Sequence, residues 1–135
     1  MDDVSRMMDA QAVGEVIVRY GSSLDECNWE RLATCFVPEV RSVLAGGPMM
    51  NGYEELEAAI RFALGAYERT QHHIADQEAE IDGDAARLRA NLIATHVHDG
   101  TTFVVGGVYR EELVRTPEGW RISYHELDAL WMEGT

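Results

Sequence analysis

The apolar residues of this chain change their spacing once, near Thr70, and that change limits the folds open to it. Before Thr70 they recur every three or four residues, as on one face of a helix. After Thr70 they alternate with polar residues, as along a strand. Helices followed by strands predict an α+β domain, with helices packed on one face of a curved sheet.

Three helices are predicted before the change of period. The first has an apolar stripe formed by Val13, Val16, Ile17, Tyr20 and Leu24. The second starts after Asn28, whose side chain can cap the free amides that follow it, and it ends at Pro38. A short strand over 41–45 and a loop over 46–48 then precede a third helix over about 53–68.

Four long strands are predicted after the change of period. They cover residues 72–81, 85–98, 101–114 and 120–130, with tight turns between them at 82–84, 99–100 and 117–119. A strongly curved antiparallel sheet closed by the N-terminal helices makes a cone, and a cone has an interior that can hold a ligand. We interpret residues 1–135 as one domain, because this length suits a single core.

The net charge of −13 argues against some classes of partner. A chain this acidic repels phosphate backbones and anionic lipid surfaces. We therefore expect no nucleic-acid partner and no membrane partner. No apolar run is long enough to span a membrane and the N-terminus lacks a secretory signal, so we expect a cytoplasmic protein. In that compartment Cys27 and Cys35 are expected to be free thiols.

Polar residues that interrupt the apolar pattern are the candidates for function. Asp25 ends the first helical stripe, and at the mouth of an apolar cavity its pKa is expected to rise. Side chains alternate along a strand, so only one of His72 and His73 can point inward. His96 and His98 continue an apolar face, so both are expected to point inward, and the turn at 82–84 should bring the two pairs together.

Three kinds of site are open to these residues. A carboxylate, one or two imidazoles and an apolar pocket suffice for general acid–base chemistry, and a tyrosine could polarise a carbonyl. Three histidines and an aspartate could also ligate zinc or iron, but their spacing is not diagnostic and we predict no metal. The histidines could equally be core residues that are hydrogen-bonded to the backbone.

Five local patterns run in order through nearly the whole chain. They are RYGSSLDECNWERLATCF, NGYEELEAAI, TQHHIADQEAEIDGD, ATHVHDG and YREELVRTPEGWRISYHELDALWMEG. Together they resemble the SnoaL-like polyketide cyclase superfamily, and most closely its scytalone dehydratase and bile-acid dehydratase branch. The resemblance implies the ketosteroid-isomerase-like cone fold, a homodimer or homotrimer, and no cofactor.

The resemblance also implies the members of a catalytic site. The family's Asp–His pair matches Asp25 and His72, with His73 as the alternative if a bulge shifts the register. The helix tyrosine matches Tyr20. The further polar residue on the next strand matches His96 better than His98.

The activity implied is that of a dehydratase, a lyase removing water from a cyclic or polyketide-like hydroxy-carbonyl compound. The partner would be a small apolar or aromatic carbonyl substrate. An isomerase or aldol cyclase on the same scaffold, and a small-molecule-binding protein without catalysis, remain alternatives. The other residues predicted to contact substrate are His73, His98, Tyr53, Met49, Phe62, Phe103 and Trp131.

Overall fold

The computed structural model describes residues 2–134, which form three helices and six strands. In chain order they are α1 (Asp3–Asp25), α2 (Trp29–Ala33), β1 (Phe36–Leu44), β2 (Met50–Asn51), α3 (Tyr53–Leu64), β3 (Arg69–Asp82), β4 (Ala85–His98), β5 (Thr101–Thr116) and β6 (Gly119–Gly134). The strands make one curved, unclosed sheet in the order β2-β1-β6-β5-β4-β3, mostly antiparallel, with β1 and β6 parallel. The predicted α+β class is confirmed.

Helix α1 covers one face of this sheet. Asp2 caps its first turn, accepting a hydrogen bond from the Ser5 amide at 2.7 Å. The predicted apolar stripe is buried, and the helix packs along β3 with further contacts to β4 and β6. Burial of each large apolar side chain contributes about 1.5–3 kcal/mol, so packing holds the helix in place. No helix within residues 2–134 has the length and apolarity needed to cross a membrane.

Helix α2 is shorter than its apolar spacing predicts. Asn28 caps it as predicted, accepting from the Arg31 amide at 3.1 Å. However, the helix ends at Ala33, so the predicted end at Pro38 is wrong. The chain turns there to join the sheet, and the Ile122 amide donates to the Cys35 carbonyl at 2.7 Å. Pairing with β6 therefore overrides the local helical pattern.

Other predicted boundaries also move. Strand β1 begins at Phe36 and not at residue 41, because its pairing with β6 begins at Phe36. Helix α3 ends at Leu64, with Gly65 as its C-cap, and not near residue 68. Strand β6 continues to Gly134 and not to Leu130, because it stays paired with β5 over its whole length. The tight turns lie where they were predicted, between β3 and β4, β4 and β5, and β5 and β6.

Strand β4 supplies the centre of the inner face, the face turned toward α1. Leu88, Ala90, Leu92 and Ala94 are buried there, as their alternation predicts. In the β3–β4 register His72 lies opposite Ala94, which confirms the predicted approach of the two histidine-bearing strands.

Strand β6 contains one extra residue near its start, Ser123. Its neighbours Ile122 and Tyr124 pair with consecutive residues of β5, so the register shifts across Ser123. Such a bulge reverses the inward–outward alternation of the residues that follow. His125 is therefore buried on the inner face, three residues after the buried Ile122.

A second register shift lies near the end of β6, at Leu130. Ala129 and Trp131 pair with the consecutive residues Gly107 and Gly106. The Trp131 indole lies directly over Gly106, in the space that a β-carbon at that position would need. Trp131 thus packs on the outer face of the sheet, although simple alternation from Ala129 would turn it inward.

Candidate active site

A mostly apolar cavity of about 190 Å³ lies between α1, α3 and the inner face of the sheet. Ala45 and Ala63 are exposed residues of its wall, so the cavity opens between the end of β1 and the last turn of α3. An engineered protein cavity of ~150 Å³ takes up benzene, so a single-ring compound fits this volume. The polar side chains on its wall are Tyr20, His72, His96 and Tyr109.

Asp25 and His72 form a close pair at this cavity. Asp25 Oδ1 lies 2.7 Å from His72 Nδ1, and the His72 side chain is only 6% exposed. Because a carboxylate accepts and does not donate, Nδ1 carries a proton, and Nε2 is the ring nitrogen that Asp25 leaves free for another partner. The backbone amide of His72 and the hydroxyl of Thr70 also donate to the same carboxylate, at 2.9 and 3.1 Å. These bonds fix the pair in one orientation.

The expected rise in the pKa of Asp25 is wrong. Partial burial does act to raise that pKa, but hydrogen bonds from the side chain and backbone of His72 outweigh it and lower the value below 3.8. The carboxylate is therefore charged at neutral pH, and it stabilises positive charge on the imidazole beside it.

His96 faces the cavity next to His72. The two rings are 6.1 Å apart between centroids, and His96 Nδ1 donates to the Phe103 carbonyl at 3.0 Å. Burial lowers the pKa of His96, and the nearby His72 lowers it further, against the effect of the Phe103 carbonyl. A neutral His96 with a protonated Nδ1 presents Nε2 as a hydrogen-bond acceptor.

Tyr20 belongs to a buried network that is not predicted from the sequence. Its hydroxyl lies 3.4 Å from the Tyr109 hydroxyl and 3.2 Å from His125 Nε2. His125 Nδ1 in turn lies 2.6 Å from the carboxyl group of Glu111, and both of those side chains are fully buried. Burial raises the pKa of Tyr20 and of Tyr109, so both stay protonated phenols.

One of the two missed residues left a signal in the sequence. Glu111 alternates in phase with Tyr109 and Leu113, so a carboxyl group on the inner face of β5 is visible from alternation alone. His125 left no such signal, since the bulge at Ser123 reverses the alternation before it.

The histidines expected beside His72 and His96 lie elsewhere. His73 is exposed on the opposite side of β3. His98 is also exposed: it lies on the same side of β4 as His96, but at the end of the strand and outside the cavity wall, so it does not line the cavity as expected. Alternation along a strand sets the side of the sheet that a side chain faces, but not whether other elements bury it. The part of β4 that other elements bury ends near His96.

The remaining predicted contacts are scattered. Phe103 packs its ring 5.6 Å from that of His96 at the edge of the cavity. Tyr53 is half-buried against Phe36, outside the cavity wall. The other three predicted contacts have exposed side chains: Met49, Phe62 and Trp131. Phe62 is 89% exposed because it lies on the solvent side of α3, and Trp131 lies on the outer face of the sheet.

Two other kinds of site have weaker support in the structure. Larger open grooves lie on the surface, one of about 440 Å³ on the outer face of the sheet, but its walls include exposed ion pairs such as Arg89–Glu78 at 3.6 Å. Water screens such pairs, so the smaller cavity with its buried titratable groups is the better candidate. Within residues 2–134 no three His, Cys, Asp or Glu side chains cluster so as to hold a metal ion.

Known proteins match this chain over most of its length. The family model of the SnoaL-like domain matches residues 5–126. The uncharacterized protein Rv2910c of Mycobacterium tuberculosis is 27% identical over 126 residues, which cover 90% of this chain and 86% of that protein.

Solved structures share the fold. Kfla4162 of Kribbella flavida is 28% identical, with 95% of each chain covered and a TM-score of 0.87. A scytalone dehydratase-like protein of Novosphingobium aromaticivorans is 18% identical, covering 98% of this chain and 91% of its own, with a TM-score of 0.90. The type 3 hexachlorocyclohexane dehydrochlorinase of Novosphingobium barchaimii is 14% identical, covering 99% and 94%, with a TM-score of 0.87.

Proposed function

This chain belongs to the SnoaL-like domain family, and on that premise we propose that it is a cofactor-independent hydro-lyase. It removes water from a small cyclic or polyketide-like hydroxy-carbonyl compound. A fold hosts many reactions, so the proposal depends on the site. The observation that carries it is the 2.7 Å contact between Asp25 and His72 at the wall of an apolar cavity.

His72 is the proton carrier in this proposal. Its Nδ1–H is held by Asp25, which leaves Nε2 as the base that removes the proton on the carbon next to the substrate carbonyl. The imidazolium that forms lies against a charged carboxylate, so the transferred proton is stabilised. Positioned acid–base groups of this kind contribute ~10²–10⁴-fold to a rate.

The hydroxyl groups of Tyr20 and Tyr109 act on the substrate oxygen. Removal of the α-proton places negative charge on the carbonyl oxygen, and protonated phenols on the cavity wall can donate hydrogen bonds to it. When the carbonyl re-forms, the bond to the hydroxyl on the next carbon breaks. The His72 imidazolium returns its proton to that hydroxyl, which leaves as water, while His96 Nε2 accepts a hydrogen bond from the hydroxyl and orients it.

Two of the structural neighbours have names consistent with an elimination. Dehydration and dehydrochlorination each remove a proton and a leaving group from neighbouring carbons, although these proteins share only the fold with this chain. An isomerase or aldol cyclase would use the same pair without loss of water, and a binding protein would use only the cavity.

Mass analysis of reaction products separates these possibilities. The protein is incubated with a panel of single-ring β-hydroxy ketones, and we expect a product lighter by one water. Asp25→Asn and His72→Ala should reduce the rate by roughly 10²–10⁴-fold. His73→Ala is the matched control, because His73 is the next residue on the same strand and faces solvent.

Each other outcome has a distinct meaning. A product of unchanged mass would indicate an isomerase or intramolecular cyclase in place of the lyase. Retention of the activity by His72→Ala would rule out the proposed mechanism, and ligand binding without turnover would indicate a binding protein. The oligomeric state, a homodimer or homotrimer, stays a prediction that light scattering of the purified protein tests. The cytoplasmic location also stays a prediction.

A further inference from the structure

A second acid–imidazole pair lies behind the cavity, and the mechanism above does not use it. Glu111 on β5 and His125 on β6 are direct partners in the sheet register. His125 Nδ1 lies 2.6 and 2.8 Å from the two carboxyl oxygens of Glu111, and neither side chain is exposed to solvent. On the other side of the ring, Nε2 lies 3.2 Å from the oxygen of Tyr20.

The protons held by this pair determine whether His125 Nε2 donates a hydrogen bond to Tyr20 or accepts one from it. A buried pair with no net charge has one proton shared between Glu111 and Nδ1 and a second proton on Nε2. That second proton is present whether the shared one rests on the carboxyl or on the ring. Removing it would leave a net negative charge away from water, which is strongly unfavourable. His125 Nε2 is therefore a donor, and the Tyr20 oxygen is its acceptor.

A phenol that accepts one hydrogen bond still has its own O–H to donate. The neighbouring hydroxyl of Tyr109 is 3.4 Å away, which is long for an O–H···O bond. A ligand oxygen in the cavity can thus compete for the Tyr20 proton at little cost. The bond from His125 also polarises the Tyr20 hydroxyl and makes it a better donor.

We propose that Glu111 and His125 are positioning residues that turn the Tyr20 hydroxyl into a hydrogen-bond donor for an oxyanion in the cavity. The inference rests on the proposed function, in which that oxyanion is the enolate of the substrate. A buried ion pair seldom adds net stability compared with apolar residues of similar size. The pair can therefore be removed as a unit, which separates its effect on Tyr20 from its effect on folding.

Nitrogen-15 NMR of histidine-labelled protein tests the proton count directly. We expect the Nε2 signal of His125, assigned by its loss in Glu111→Leu/His125→Phe, to be that of a protonated nitrogen at neutral pH. An unprotonated Nε2 would mean that Tyr20 donates to His125 and would overturn the proposal. This measurement uses the wild-type protein and requires no substrate.

Binding of 4-nitrophenolate tests the consequence, since this single-ring oxyanion resembles the enolate and its absorbance reports hydrogen bonding. Tyr20→Phe should weaken its binding roughly tenfold or more, and Glu111→Leu/His125→Phe roughly three- to tenfold. Ser42→Ala is the matched control: Ser42 lies opposite His125 in the sheet, fully buried, and its hydroxyl has no hydrogen-bond partner within residues 2–134. It should bind the probe as the wild type does.

The outcomes distinguish this inference from the proposed function. Equal affinity in the wild type and the double variant, or no binding by the wild type, would overturn the positioning role. Full activity of Asp25→Asn would overturn the proposed function and leave the NMR and binding results unaffected. If the double variant does not fold, the NMR spectrum of the wild type still decides the question, with the His125 signal assigned by through-bond correlation.

Discussion

Replacing Asp25 by asparagine tests the carboxylate–imidazole pair without any substrate. The side chain is 22% exposed and accepts hydrogen bonds from Thr70, from the backbone amide of His72 and from His72 Nδ1. Asparagine offers one oxygen and no charge, so at least one donor loses its partner. Hydrogen bonds to charged groups contribute about 1.5–3 kcal/mol, so we expect the free energy of unfolding to fall by about 2 kcal/mol at pH 7.

The loss of stability in Asp25→Asn should become smaller as the pH falls. The pKa of Asp25 is lowered in the folded protein from an ordinary value of 3.8. Its charged form therefore stabilises the fold above pH 3.8, and that contribution disappears as the pH falls through the lowered pKa. The difference in unfolding free energy between the wild type and Asp25→Asn should accordingly shrink toward zero in strong acid.

Urea unfolding at pH 7 and at a series of acid pH values measures this difference. Asp84→Asn is the control, because Asp84 bonds to Arg115 at 3.0 Å but its side chain is 86% exposed. Surface pairs of this kind contribute about 0–1 kcal/mol. The reasoning is refuted if Asp25→Asn costs no more than Asp84→Asn at pH 7, or if its cost is unchanged in acid.

Three further predictions concern the interior. Glu111→Leu should lower the free energy of unfolding by about 3–5 kcal/mol, because it leaves His125 buried without its carboxylate partner. Adding His125→Phe should restore most of that free energy, and equal losses in the single and double variants, measured by thermal or urea unfolding, would contradict the reasoning. Ala94→Leu should fill part of the cavity and weaken 4-nitrophenolate binding roughly tenfold, while lowering the free energy of unfolding by at most about 1–3 kcal/mol; unchanged affinity would place the probe elsewhere. A thiol reagent should label the exposed Cys27 rapidly and the buried Cys35, whose pKa burial raises, only after unfolding; rapid labelling of both would contradict the burial.

Much of the fold follows from local patterns. The change of period near Thr70 predicts the order of helices and strands, and the alternation of β4 predicts its inner face. The boundary of α2 does not follow, because Phe36 has helical spacing with Trp29 and Leu32 but pairs with a strand more than eighty residues away. Long-range pairing of that kind leaves no trace in a local window.

The candidate site was predictable to the same extent. Local patterns locate both partners of the pair, Asp25 at a helix end and His72 on a strand face. They do not give the direction of the Asp25 pKa shift, because partial burial acts to raise that pKa and the hydrogen bonds from the side chain and backbone of His72 outweigh it. Trp131 and His125 were misplaced or missed for a shared reason. Each follows an extra residue in β6. An extra residue reverses the face of the sheet to which the following side chains point, and the composition of the strand does not reveal it.

The extra residue at Ser123 bears on how related sequences should be aligned. Ile122 and Tyr124, which flank Ser123, already pair with consecutive residues of β5, so a relative that lacks this one residue can keep every later pairing and the same inner face. A one-residue gap at this point between two relatives is therefore compatible with the same interior, whereas an alignment drawn without that gap would match inner residues of one strand to outer residues of the other. Aligning by pairing partner, rather than by identity of letters, is what would show whether a relative also has a histidine behind its tyrosine.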